Sequence, residues 1–99
     1  MLWVISAMTL LSLHTAYDIQ LNLAQAVRDK RKHMKLSRKA LAERSTVPAS
    51  TIKKFESTGQ ISLRQFILLW QCVDSLEALF VLTKEVERQP TSIEEVLRG

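Results

Sequence analysis

Pro48 stands between two short amphipathic patterns, and it limits what this chain can fold into more than any other single residue. Proline removes an amide and pushes the residue before it out of helical angles, so residues 36–56, LSRKALAERSTVPASTIKKFE, cannot form one continuous helix. They divide instead into two short helices joined by a tight turn. Ser37 suits an N-cap because its hydroxyl can accept from an orphan amide in the first turn, and Leu36 can pack on Leu41 as a hydrophobic staple. The first helix is therefore expected to start at Arg38. Ala40, Leu41 and Ala42 form its small apolar face, with Arg38, Lys39, Glu43 and Arg44 toward water. Ser45, Thr46, Val47 and Pro48 interrupt it. The second helix is expected over about residues 49–57, with Ile52 and Phe55 inward and Ser50, Thr51, Lys53 and Lys54 outward. Thr58-Gly59 then stops it, since glycine tolerates left-handed backbone angles. The pattern reads as a helix-turn-helix.

Charge is concentrated on the same stretch. Net charge is +4 for 99 residues, but ten Lys/Arg lie between Arg28 and Lys54 against only Asp29 and Glu43. From Phe55 onward acidic residues outnumber basic ones by seven to four, and before Arg28 there is only Asp18. A field confined to one region is the footprint of a polyanion-binding face. A length of 99 residues, with little β signal and two each of Gly and Pro, predicts a single compact all-α domain. The one cysteine, Cys72, cannot form an intrachain disulfide and sits in an apolar helical run as a small core residue. His14 and His33 lack ligand spacing to any carboxylate, so no metal and no cofactor are expected.

The other segments read as follows. Residues 1–13, MLWVISAMTLLSL, are apolar but fall short of the roughly 20 residues that span a bilayer, and they lack the basic start of a signal peptide. With residue 14 they form an apolar N-terminal extension. Its candidate uses are self-association, docking on the domain's own core or binding a partner protein, unless the start codon has been placed too far upstream. Self-association is the favoured reading, and the expected location is the cytoplasm with no membrane contact. Thr15 and Asp18 have capping-box spacing, so a helix is expected from Ala16, with Ile19, Leu23, Ala26 and Val27 inward. Ser62 caps a strongly apolar helix over Leu63–Val73. A further helix is expected over about residues 76–86, and a short terminal one from Thr91, in which Ile93, Val96 and Leu97 dock back. The surplus of large apolar side chains makes Trp70, Leu76, Leu79 and Phe80 candidate dimerisation residues, within a domain expected over residues 15–99.

From about Leu23 to Val73 the chain resembles the XRE/Cro-CI-type helix-turn-helix regulators. The residues that carry the resemblance are Leu23, Val27, Arg28, Arg31, Leu36, Ser37, Leu41, Ala42, Val47, Ile52, Glu56 and Gly59. Residues 55–63, FESTGQISL, look especially like HipB-type members, the DNA-binding partners of HipA-like kinase toxins. The resemblance implies a compact five-helix, lambda-repressor-like domain. It also implies base-reading positions at Ala49, Ser50 and Lys54, with Lys53 beside them, and Arg38 where the family usually has glutamine. Arg31 and Glu56 match a buried structural ion pair. Lys35 stands where glycine is frequent, and Pro48 replaces the usual Ser/Thr cap, which bears on how Ala49 and Ser50 would meet a groove. The DNA-binding set is then Arg38, Lys39, Ala49, Ser50, Thr51, Lys53 and Lys54.

The function expected is that of a homodimeric, sequence-specific repressor that binds an inverted-repeat operator in double-stranded DNA and autoregulates a toxin-antitoxin operon. The alternative is a protein-interaction module, an antitoxin or scaffold that binds a HipA-like kinase toxin or its small partner, with DNA secondary. An enzyme is the least expected class: Ser37, Ser45 and Ser50 have no His/Asp constellation around them, and no glycine loop could cradle a phosphate.

Overall fold

Three of the five described helices begin where a side chain accepts from a first-turn amide, and three end where the backbone turns left-handed or extended. The computed structural model describes residues 14–84, and among them there are five helices and no strand. We label them α1 (Ala16–His33), α2 (Arg38–Ser45), α3 (Ala49–Thr58), α4 (Leu63–Val73) and α5 (Glu77–Phe80), the last followed by a 3-10 turn, Val81–Thr83. The apolar extension over residues 1–13 and the terminal helix with Ile93, Val96 and Leu97 lie outside the described residues.

The caps explain the starts. The Thr15 hydroxyl accepts from the Asp18 amide and the Asp18 carboxylate accepts from the Thr15 amide, both at 3.1 Å, so a full capping box opens α1. The Thr15 backbone amide first, and the Thr15 hydroxyl second, hold the Asp18 carboxyl below its ordinary pKa. Ser37 caps α2 through the Ala40 amide at 3.0 Å, and Ser62 caps α4 through the Gln65 amide at 3.2 Å. Pro48 has no side-chain acceptor to offer, so α3 begins uncapped at Ala49.

Three of the turns depend on left-handed residues. Lys35 (φ 58°) lets the chain reverse between α1 and α2, and Gly59 (φ 76°) closes α3. Thr46 (φ 66°), which ends α2, is the less expected one because a β-branched residue is sterically disfavoured in that region. The buried Ser45 hydroxyl offsets part of that cost by accepting from the Val47 amide at 3.1 Å. Gly59 is also required by space: a Cβ there would lie 3.0 Å from the Gln20 Cβ and 3.1 Å from its carbonyl carbon.

The core lies between α1, α2, α3 and α4, with α1 against α3 and α4, and α2 against the same two. Ala24, Val27, Leu41, Val47, Ile52, Phe55, Phe66, Leu69 and Trp70 fill it. Phe55 meets Phe66 edge-on with ring centroids 5.9 Å apart, and Phe66 meets Trp70 at 5.8 Å. Burying each large side chain contributes about 1.5–3 kcal/mol.

Three expectations are corrected. Trp70 is not on an outer face: it is 8 % exposed, and its indole N–H donates to the Ser75 carbonyl at 3.0 Å. Ile19 is 45 % exposed, because the buried stripe of α1 runs through Ala24, Val27 and Arg31. The helix expected over residues 76–86 stops early, at Phe80, and tightens into the 3-10 turn. Val81 and Thr83 are poor helix formers, the Thr83 hydroxyl donates to the Phe80 carbonyl at 2.7 Å, and Leu82 is 80 % exposed among the described residues.

Candidate functional site

The outer face of α3 is built by its inner one. Ile52 and Phe55 are driven into the core at three-residue spacing, and this fixes the roll of the helix about its axis. Ser50, Lys53 and Lys54 are consequently exposed, and Ala49 and Thr51 are half-buried beside them. Lys39 is exposed on α2. The Ser57 and Thr58 hydroxyls turn back to carbonyls of the preceding turn, including the Lys54 carbonyl, which ties up the C-terminal end of this face.

A buried ionic cluster sets the position of α3. Arg31 of α1 donates from Nε to Glu56 Oε2 at 2.7 Å and from Nη2 to Glu56 Oε1 at 3.0 Å, a bidentate pair. Its Nη1 donates to the Leu36 carbonyl at 2.8 Å, so the turn before α2 is held as well. Arg38, expected to point to water, instead donates from Nε to Glu56 Oε1 at 3.0 Å. The first residue of α2 is therefore bonded to the second half of α3. The Glu56 side chain is 2 % exposed, that of Arg31 8 % and that of Arg38 39 %.

The basic field is smaller than residue counting suggests. Arg31 and Arg38 share Glu56, and Lys30 is paired with Asp74 at 2.7 Å while its ammonium lies 5.6 Å from the Trp70 ring centroid. Lys32, Lys35, Lys39, Arg44, Lys53 and Lys54 form no salt bridge among the described residues. Sequence spacing offers no sign of the Lys30–Asp74 pair, since Lys30 is on α1 and Asp74 is the extended residue just past the end of α4. The Arg38–Glu56 bond is equally hidden, because the resemblance in residues 23–73 pairs Glu56 with Arg31 alone.

A second feature lies on the other side of α4. Leu63 and Leu82 are widely exposed, and together with Leu23, Phe66, Ile67 and Leu79 they line an apolar groove of about 400 Å³. Of the remaining candidate dimerisation residues, Leu76 and Phe80 are exposed and Leu79 is half-buried. Cys72 packs partly against the core, and burial raises its thiol pKa. Among the described residues no three His, Cys, Asp or Glu side chains are grouped as metal ligands, and no helix is long and apolar enough to cross a membrane.

No known protein family matches the chain, and neither a curated protein nor a solved structure is recognisably similar to it.

Proposed function

We propose that this chain is a DNA-binding repressor of the helix-turn-helix class, with α2 and α3 as the bihelical motif and α3 as the recognition helix. The observation that carries the reading is the split of α3 into a buried face, Ile52 and Phe55, and an outer face bearing Ser50, Lys53 and Lys54. A short helix locked from behind and basic in front suits entry into a major groove about 12 Å wide. Ala49 can meet a thymine methyl, Ser50 and Thr51 can bond either base edges or phosphate, and Lys54 can reach guanine. Lys39 and Lys53 would neutralise phosphates, along with the exposed part of Arg38. The lambda-repressor-like architecture, the XRE/HipB-type membership and autoregulation of a toxin-antitoxin operon are part of the proposal and rest on the resemblance in residues 23–73.

A homodimer with Leu76, Leu79 and Phe80 at its interface would place two copies of α3 in successive major grooves, so the operator should be an inverted repeat with half-sites about one helical turn apart. The apolar groove on α4 favours a second reading, in which this surface binds a partner protein such as a HipA-like kinase toxin and DNA is secondary.

The test is fluorescence anisotropy with the DNA immediately upstream of the gene and a scrambled duplex, over a salt series. The expected result is selective binding that weakens steeply with salt. Lys54→Ala should lose discrimination between the two duplexes while the protein stays folded. Equal binding to both duplexes by the wild type, or a selective Lys54→Ala, would refute the recognition face.

A further inference from the structure

Glu56 holds two guanidinium groups and Arg38 is the exposed one. Every nitrogen of the Arg31 guanidinium is engaged inside the protein, two on Glu56 and one on the Leu36 carbonyl. Arg38 gives only Nε to Glu56, and neither of its Nη atoms has a partner among the described residues. A guanidinium carries five N–H donors on a rigid plane, so one anchored through Nε keeps the edge formed by its two Nη groups. That edge matches two oxygens of a phosphate. Two cations on one buried anion also leave the cluster with one net positive charge, placed on its solvent side because the Arg38 side chain is 39 % exposed against 8 % for Arg31.

We infer that Glu56 is a positioning residue for DNA backbone binding: it fixes Arg38 so that the Nη edge grips one phosphate, which ties that grip to the seating of α3. The inference rests on the DNA-binding reading above. It predicts a sign that plain electrostatics does not. A carboxylate near a polyanion opposes binding, so neutralising it should tighten the complex. A positioning role requires the reverse.

The experiment is a double-mutant cycle with Arg38→Gln, Glu56→Gln and the double variant, read by anisotropy on random-sequence duplex DNA and corrected for the folded fraction from circular dichroism. Arg38→Gln should weaken binding roughly tenfold, as expected for losing a hydrogen bond to a charged group. It should also reduce the slope of log K against log salt by about 0.9 for each phosphate that is no longer neutralised. Glu56→Gln should weaken binding too, and the double variant should be no weaker than Arg38→Gln alone. Arg38→Lys leaves the Arg31–Glu56 pair in place and keeps the charge, so it serves if Glu56→Gln unfolds. It should still lose affinity several-fold, because a flexible ammonium has no second rigid edge. Tighter binding by Glu56→Gln, additive losses, or wild-type affinity in Arg38→Lys would overturn the inference alone. A wild type that binds neither this duplex nor the upstream DNA would overturn the DNA-binding reading and this inference with it.

Discussion

Lys30 and Arg31 are consecutive cations on α1, and the fold uses them in opposite ways. Arg31 turns inward and makes a bidentate pair with Glu56, with both side chains less than a tenth exposed. Lys30, one residue earlier and rotated by about 100° on the helix, closes on Asp74 at 2.7 Å with more than a third of each side chain still in water. Both distances are short, yet distance does not rank the two pairs. A buried charge that loses its partner keeps its desolvation cost, whereas an exposed one is rehydrated. The Arg31–Glu56 pair therefore holds α1 and α3 in register, while Lys30–Asp74 only trims the contact between the ends of α1 and α4.

Removal of one buried partner should separate the two most sharply. Arg31→Ala leaves Glu56 with the part-exposed Arg38 as its one remaining cation and is expected to cost somewhat less than the roughly 3–5 kcal/mol of a fully stranded buried charge, read as a lowered denaturant midpoint with an unchanged m-value. Arg31→Lys keeps the charge but not the fork, and should lose a smaller part of the same amount because one ammonium cannot span both carboxylate oxygens and the Leu36 carbonyl. Lys30→Ala should shift the midpoint several-fold less than Arg31→Ala. Equal effects from Lys30→Ala and Arg31→Ala would show that burial does not distinguish the pairs.

The contrast also shows what is legible in the sequence. Helix starts are readable because caps act within three residues: Thr15 with Asp18, Ser37 with Ala40 and Ser62 with Gln65 all form the local bonds their spacing allows. The stop at Gly59 is readable for the same local reason. Features that depend on which helix face meets which neighbour are not. Trp70 reads as surplus apolar surface because nothing local indicates that its indole finds the Ser75 carbonyl. The end of α5 is hidden since propensity alone does not say that Leu82 stays exposed among the described residues. In the candidate site, the exposure of Ser50, Lys53 and Lys54 follows from the spacing of Ile52 and Phe55. The tethering of Arg38 does not, because a carboxylate can accept from two arginines and the resemblance pairs it with one.

Between those stability effects lies one on the turn itself. Thr46→Gly removes a β-branched side chain from a left-handed position worth about 1–2 kcal/mol of strain, against about 0.5–1 kcal/mol of added chain entropy. A net gain of about 0–1.5 kcal/mol is expected in thermal or urea unfolding. A loss would mean that the Thr46 side chain contributes more than its strain costs, and that the α2–α3 connection is held by more than Glu56 and the core.

The smallest expected effect is confined to acid. Asp74 titrates below its ordinary value, chiefly because the Lys30 ammonium donates to it, with the Ser75 amide second. A carboxyl whose folded-state pKa is depressed adds stability that is complete above its unfolded value near 3.9 and fades as pH falls through the folded one. Asp74→Asn should therefore melt slightly below the wild type at neutral pH, and the two curves should converge as pH drops below about 4. Arg31→Ala offers the control, since it removes the buried pair and leaves Asp74 in place: its own titration at this site should still be seen in the acid limb. A gap between wild type and Asp74→Asn that stayed constant from neutral pH into acid would remove the ionic account of the Lys30 pair, leaving Lys30 to act on Trp70 through its ring contact.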